Sequence, residues 1–234
     1  MGEDHDDHHH RDVNGGAARA AVFGVSDGLV SNVSLILGVA GASPAPGVVR
    51  LAGLAGLLSG ACSMAAGEYI SVKAQRELLE SEIESERREL ERRPDKEQRE
   101  LAGNFRRKGV DARVADEMAE QLSRDPQTAL EAHAREELGI DPNQLGSPVK
   151  VAASSFVSFA LGAVVPLIPW LVSRGTGATV ASIVLGALAA LAVGGALARF
   201  TGRSWVLSAL RQLAVAAAAA AVTFGLGAAI GVSG

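Results

Sequence analysis

Two carboxylates lie within segments that are otherwise apolar enough to be buried in lipid. Asp27 occurs in the run 20–30 (AAVFGVSDGLV), and Glu68 occurs in the run 60–69 (GACSMAAGEY). A charge at the centre of a bilayer costs at least about 2.5–3.5 kcal/mol on insertion scales, so such residues usually face a bundle interior or an ion pathway. Met64 and Glu68 share one helix face because they are four residues apart. A thioether and carboxylates on a pathway predict a site that binds a transition-metal cation and exchanges it for protons.

Four further glutamates form two pairs at three-residue spacing, on either side of Pro94. Each pair places two carboxylates on one helix face, and the proline allows the two helices to fold back on each other. The four carboxylates are then expected to converge. The pairs are Glu86 with Glu89 and Glu97 with Glu100.

His133 and Glu137 are four residues apart on a later predicted helix and would add an imidazole and a fifth carboxylate. Carboxylate with imidazole suits Fe²⁺, Mn²⁺ or Zn²⁺. The alternative is a solvated surface, because glutamates of this segment also stand four residues before arginines, as Glu84 does before Arg88. Both interpretations remain open on composition alone.

Five apolar segments organise the chain, and the first two carry Asp27, Met64 and Glu68. Each segment is long enough to cross about 30 Å of hydrocarbon as a helix. The third contains Pro166 and Pro169, which are expected to kink or break it. The segments are 17–42, 48–72, 149–172, 178–198 and 205–232.

A charged segment separates the second and third apolar segments and carries most of the ionisable residues of the chain. Its pattern predicts several helices that end near Pro94, Gly109, Pro126 and Gly139. Acidic residues outnumber basic ones in it, which argues against nucleic acid as a partner. The predicted fold is an all-α membrane protein with five transmembrane helices and a cytoplasmic helical bundle between spans two and three. The predicted domains are a polar tail (1–16), spans one and two (17–72), the bundle (73–146) and spans three to five (147–234).

Basic residues in the short connections predict the orientation of the chain. The N-terminus and the charged segment are expected in the cytoplasm and the C-terminus outside. The polar, acidic start of the chain does not resemble a cleavable leader. Its histidines, His5 and 8–10, offer metal ligands, although a flexible tail or a tag remnant is the favoured interpretation.

Several of these motifs together resemble one known family. The sequence VSDGLVS at 25–31 resembles the Asp-Gly-Leu motif of the vacuolar iron transporter family, and 60–69 resembles its second-span motif. The run 132–140 (AHAREELGI) is similar to the end of the family's cytoplasmic metal-binding domain, and 159–167 (FALGAVVPL) is similar to its third span. The similarity extends from about Gly15 to the C-terminus.

The resemblance implies a dimer of five-span protomers that exports Fe²⁺ from the cytosol in exchange for protons along a path between the two first spans. Asp27 and Met64 would be ligands on that path. The five paired or late glutamates named above would bind metal in the cytoplasmic domain. Two differences concern the choice of metal and the proton-coupling group. His133 and Ala134 stand where some members have methionine and glutamate, and the second-span acid that some members place nearer Gly56 is absent here, while Glu68 is present.

The leading prediction is therefore a proton-coupled transporter of Fe²⁺, with Mn²⁺, Co²⁺ or Zn²⁺ as other substrates, that has no prosthetic group and is not an enzyme. We expect a homodimer in a bacterial inner membrane. One alternative is a membrane-anchored, ferritin-like di-iron oxidase, but such sites use Glu-x-x-His pairs, which this sequence lacks. Another is a membrane scaffold, which leaves Asp27 and Met64 unexplained.

Overall fold

The computed structural model describes residues 16–42 and 45–232, and the regular structure in these ranges is helical throughout. A π-helical turn (Ala134–Leu138) follows α5, and a short 3₁₀ turn (Pro142–Gln144) precedes α6. Apart from Gly16, the predicted N-terminal tail with its histidines lies outside the described residues. The α-helices are α1 (Gly16–Ala42), α2 (Pro46–Arg92), α3 (Pro94–Arg107), α4 (Ala112–Ser123), α5 (Pro126–His133), α6 (Pro148–Val172), α7 (Gly175–Thr201) and α8 (Trp205–Val232).

Within the described ranges, five helices are long and apolar enough to cross a membrane: α1, α2, α6, α7 and α8. The prediction of an all-α, multi-pass membrane protein is confirmed. Helix α2 has 47 residues, which corresponds to about 70 Å at 1.5 Å per residue. Only its apolar first half is needed to cross the bilayer, so its charged second half lies outside the hydrocarbon.

The chain divides into two compact units, a membrane unit (residues up to Ile70 and from Pro148 onward) and a helical island (Ser71–Ser147). In the membrane unit, α1 packs against α6, α7 and α8. One buried cluster joins α1, α2, α6 and α7 through Ile36, Val49, Leu167 and Ala178. Helix α1, which carries Asp27, is therefore held by most of the other spans.

Helices α1 and α6 cross at two glycines. A Cβ added at Gly28 would lie 2.1 Å from the carbonyl oxygen of Phe159, and one added at Gly162 would lie 2.1 Å from that of Val25. Small residues permit this approach between membrane helices, where close van der Waals packing drives association. The residue next to Asp27 is thus fixed against α6.

The prolines of the third span do not break α6, which runs continuously through Pro166 and Pro169. Neighbouring helices supply polar contacts to this region, as membrane helices with internal prolines require. Ser182 of α7 donates a hydrogen bond to the carbonyl of Pro166, and Arg50 of α2 donates to that of Trp170.

The helical island has its own core, in which α3 packs against α4. Leu101 and Phe105 of α3 meet Ala115 and Ala119 of α4. Asp111 and Asp125 cap the next two helices by accepting hydrogen bonds from backbone N–H groups. The last predicted island helix, 126–138, is regular only to His133, because its final five residues form the π-helical turn.

Candidate metal centre

Three side chains of the helical island form a cluster of potential metal ligands. One ligand atom each from Glu86, His133 and Glu137 lies within 4.8 Å of the others. The Nδ1 atom of His133 is 3.1 Å from Oε1 of Glu137 and 3.0 Å from Oε1 of Glu86. Two carboxylate oxygens and an imidazole nitrogen thus face one point, which is the donor set that divalent transition metals favour. Among the described residues, no other group of three or more His, Cys, Asp or Glu side chains comes this close.

Two polar atoms of this cluster are buried without a hydrogen-bond partner: Oε1 of Glu86 and Nε2 of His133. The contact of Glu86 with Nδ1 is therefore close in distance but lacks hydrogen-bond geometry, while Glu137 does hydrogen-bond to Nδ1. A single ring proton cannot serve both carboxylates. Buried polar atoms are nearly always paired, and an unpaired one calls for an explanation such as an ion. A cation shared by the cluster would satisfy Glu86.

Three elements bring the cluster together. Glu86 lies on the second half of α2, His133 is the last residue of α5, and Glu137 lies in the π-helical turn. His133 is fully buried. Short π-helical segments occur frequently at functional sites. Gly139 ends the turn in the left-handed conformation with φ of 67°, which only glycine adopts without cost.

The environment of Glu86 disfavours its charge. Burial raises the pKa of Glu86 above its ordinary value of 4.5. The charge of His133 opposes this shift, and the carboxylates of Glu137, Glu97 and Glu89 add to it. A divalent cation would reverse this balance, because it favours the ionised carboxylate.

The other predicted island glutamates are arranged differently. Glu97 is buried and Glu100 is exposed, and the ammonium of Lys96 lies 3.2 Å from a carboxylate oxygen of each. Glu89 is exposed. The structure thus brings Glu86, His133 and Glu137 into one cluster. Glu97 is close enough for its charge to raise the pKa of Glu86, whereas Glu89 and Glu100 lie at the surface.

Sequence reasoning missed Asn104 of α3. Its amide Nδ2 donates a hydrogen bond to Oε1 of Glu137 at 2.9 Å, and its side chain is buried. A polar residue at a buried helix position, one turn from Leu101, was the available signal.

In the membrane unit, Asp27 lies near the middle of α1 and is half-buried. Its Oδ1 accepts a hydrogen bond from Ser31 at 3.0 Å. Helix α1 is continuous through Asp27, so this residue does not cap a helix end. The preceding residue, Ser26, accepts a hydrogen bond from Gln212 of α8 at 2.7 Å.

Met64 and Glu68 are both half-buried on α2. Met64 packs against the cluster of Ala61, Phe159 and Ala163. Gly60 lies four residues earlier on the same face. The ring of Phe159 occupies the space that a Cβ at Gly60 would fill. The face that carries the thioether and the carboxylate is therefore turned toward α6 over at least part of its length.

Comparison with protein families identifies the family to which the chain belongs. The model described as "VIT family" matches residues 18–228, nearly the whole chain. The chain belongs to the VIT family. The match extends over the five candidate spans and the helical island alike, so both units are part of the family's architecture.

Among curated VIT proteins, the chain is 38% identical to the "Vacuolar iron transporter" of Acanthamoeba castellanii over 215 residues, 91% of this chain and 78% of the relative. It is 31% identical to "Vacuolar iron transporter 1" of Oryza sativa subsp. japonica, covering 97% and 91% of the two chains. It is 32% identical to the protein of the same name from Eucalyptus grandis, covering 92% and 87%. The family predicted from the motifs is confirmed, and these relatives are named as transporters and not as enzymes.

Proposed function

We propose that this protein exports Fe²⁺, and with it other divalent transition metals, from the cytosol in exchange for protons. The observation that carries the proposal is the cluster of Glu86, His133 and Glu137 with its two unpaired buried atoms. The names of the curated relatives support iron as the substrate. The cluster would collect the cation, and the membrane helices would conduct it.

Metal loading at the cluster couples directly to protons. Ligands must be deprotonated to bind a cation, so binding releases protons and weakens as the pH falls. The cation would take the place of the Nδ1 proton between Glu137 and Glu86, which lie 3.1 Å and 3.0 Å from that nitrogen. Mixed oxygen and nitrogen donors suit Fe²⁺, Mn²⁺, Co²⁺ and Zn²⁺.

Asp27, Met64 and Glu68 are the proposed ligands within the membrane. Asp27 supplies the charge that offsets the cost of a cation in hydrocarbon. Met64 supplies a soft sulfur, which favours later transition metals over Mg²⁺ or Ca²⁺. Glu68 lies near the end of the apolar half of α2, four residues beyond Met64, and would guide ions inward.

We further propose that two copies form the path between their α1 helices. Phe23, Asp27, Ser31 and Leu35 are spaced four residues apart and so share one face of α1. Phe23, Ser31 and Leu35 are exposed in the single chain, and Asp27 is only half-buried. A carboxylate on an uncovered face of a membrane helix requires a polar or protein neighbour, and a second copy would provide both.

The test is transport by the purified protein in liposomes that contain a metal-sensitive dye and a pH-sensitive dye. Added Fe²⁺ or Co²⁺ should enter and the interior should lose protons, faster when the interior is acidic. Liposomes without protein provide the baseline. Metal entry without a proton signal would contradict the coupling, and the absence of metal entry at any pH would contradict the function.

A further inference from the structure

Asn104 connects α3 to the metal-ligand cluster. Only 5% of its surface is exposed, and its Nδ2 donates to Oε1 of Glu137 at 2.9 Å. This is the same oxygen that hydrogen-bonds to Nδ1 of His133. The amide therefore contacts a proposed ligand directly, without belonging to the cluster itself.

The amide of Asn104 is held in one orientation. Arg107, three residues later on α3, donates from Nη2 to Oδ1 of Asn104. Arginine has donors only, so it must face the amide oxygen, and the amide NH₂ must then face the carboxylate. Arg107 thus donates to Asn104, and Asn104 donates in turn to Glu137.

Glu137 needs such a contact because little else fixes its carboxylate. It lies in the short π-helical turn, and 24% of its side chain is exposed. Its hydrogen bond with His133 is lost when a cation replaces the proton on Nδ1. The bond from Asn104 survives, since each carboxylate oxygen has two lone pairs and accepts a donor and a cation together.

We propose that Asn104, oriented by Arg107, is a positioning residue that aims the carboxylate of Glu137 at the cation bound in the island. The inference rests on the proposed function, because it presupposes metal binding by Glu86, His133 and Glu137. Residues that hydrogen-bond to metal ligands fix their orientation, and their loss typically lowers metal affinity about 10- to 100-fold.

The test compares two asparagines that each donate an amide hydrogen bond to a glutamate. Asn104→Leu removes the contact with Glu137, whereas Asn143→Leu removes the contact of Asn143 with Glu131 at 3.2 Å, outside the cluster. Calorimetry of the full-length protein with Zn²⁺ or Co²⁺ should show a loss of about 10-fold or more for Asn104→Leu and none for Asn143→Leu. Equal affinity of wild type and Asn104→Leu overturns the inference and leaves the proposed function intact.

A second arm separates positioning from general destabilisation. In a Glu137→Gln background, Asn104→Leu should lower the affinity no further, because the group through which it acts is gone. Losses that add overturn the inference. If Asn104→Leu fails to fold, Arg107→Met is measured instead, because it keeps the buried amide and removes only the group that orients it. This variant should also lower the metal affinity, and an unchanged affinity overturns the inference. A wild type that binds no metal overturns the proposed island site, and the positioning role with it.

Discussion

Nδ1 of His133 lies 3.0 Å from Oε1 of Glu86, and neither Glu86 Oε1 nor the second ring nitrogen of His133 has a hydrogen-bond partner. The imidazole is fully buried. A buried carboxylate oxygen without a donor costs free energy unless a cation compensates it. A bound divalent ion would make this arrangement favourable, so the pair links the geometry of the island to its proposed function.

Glu86→Gln should stabilise the metal-free island and abolish its response to metal. The neutral amide avoids the cost of burying a charge beside other carboxylates, but it removes an anionic ligand. Amide hydrogen exchange of the full-length protein should show slower exchange in Ser71–Ser147 without metal. The additional protection that Zn²⁺ is expected to give the wild type should be lost. Glu82→Gln, an exposed change on the same helix, serves as the control. Undiminished protection by Zn²⁺ in Glu86→Gln would remove Glu86 from the site.

The stability of the metal-free island should rise as the pH falls through the raised pKa of Glu86 toward 4.5. A carboxyl whose pKa is raised by folding binds its proton more tightly in the folded state, so its contribution is lost again as the pH rises above that pKa. Metal binding has the opposite dependence, because protons compete with the cation. Exchange rates measured between pH 5 and 8 should therefore show a metal effect that shrinks in acid. Glu86→Gln should weaken the pH dependence of stability in the metal-free island. An identical pH dependence in both proteins would assign the effect to another titrating group.

Lys96→Met should increase divalent-metal binding by the island. The ammonium of Lys96 neutralises Glu97 and Glu100 at 3.2 Å from each, and so competes with a cation for the same oxygens. Calorimetry should show a higher affinity or an additional bound ion. The matched control is Arg99→Met, because Arg99 donates to the backbone carbonyl of Asp95 and not to a carboxylate. If Lys96→Met and Arg99→Met bind metal equally, Glu97 and Glu100 are not metal ligands.

Gly28→Ala and Gly162→Ala should each destabilise the membrane unit by about 1–3 kcal/mol, the typical cost of overpacking. The added methyl group would lie 2.1 Å from a backbone oxygen of the facing helix, and backbone cannot move aside easily. Gly195→Ala on α7 is the control, because its methyl group would meet no atom within 4 Å. The temperature at which the detergent-solubilised protein aggregates should fall for the first two variants only. Equal temperatures for all three would mean that the crossing of α1 and α6 is looser than described.

The helices and the membrane class could be predicted from the sequence because they depend on local patterns. Apolar length predicts the spans, and prolines and glycines predict the ends of α2, α3 and α4, whereas the end of α5 at His133 was not predicted. The sequence predicted a kink or a break at Pro166 and Pro169, and α6 is not broken there, because its continuity depends on the neighbouring helices. Spacing also predicted that Glu86 and Glu97 share faces with other glutamates.

Spacing could not predict which glutamates are buried, because burial depends on how the helices pack. The spacing predicts the same role for Glu86 and Glu89, although Glu86 contacts His133 and Glu89 is exposed. The contact of Asn104 with Glu137 depends on the π-helical turn, whose position has no signature in composition or periodicity. Asp27 stays a prediction, and the sequence singles it out because a charge in an apolar segment is conspicuous without any knowledge of packing.

The most direct test of the transport proposal is the initial rate of metal uptake by Asp27→Asn in liposomes, compared with wild type at equal amounts of inserted protein. Removing the charge eases membrane insertion, so reduced uptake cannot be assigned to poor insertion. Ser31→Ala, which removes only the hydrogen bond to Asp27, is the control and should retain most of the uptake. We expect uptake by Asp27→Asn to fall to the level of protein-free liposomes. Uptake near that of the wild type would contradict the assignment of Asp27 as the ligand on the path through the membrane.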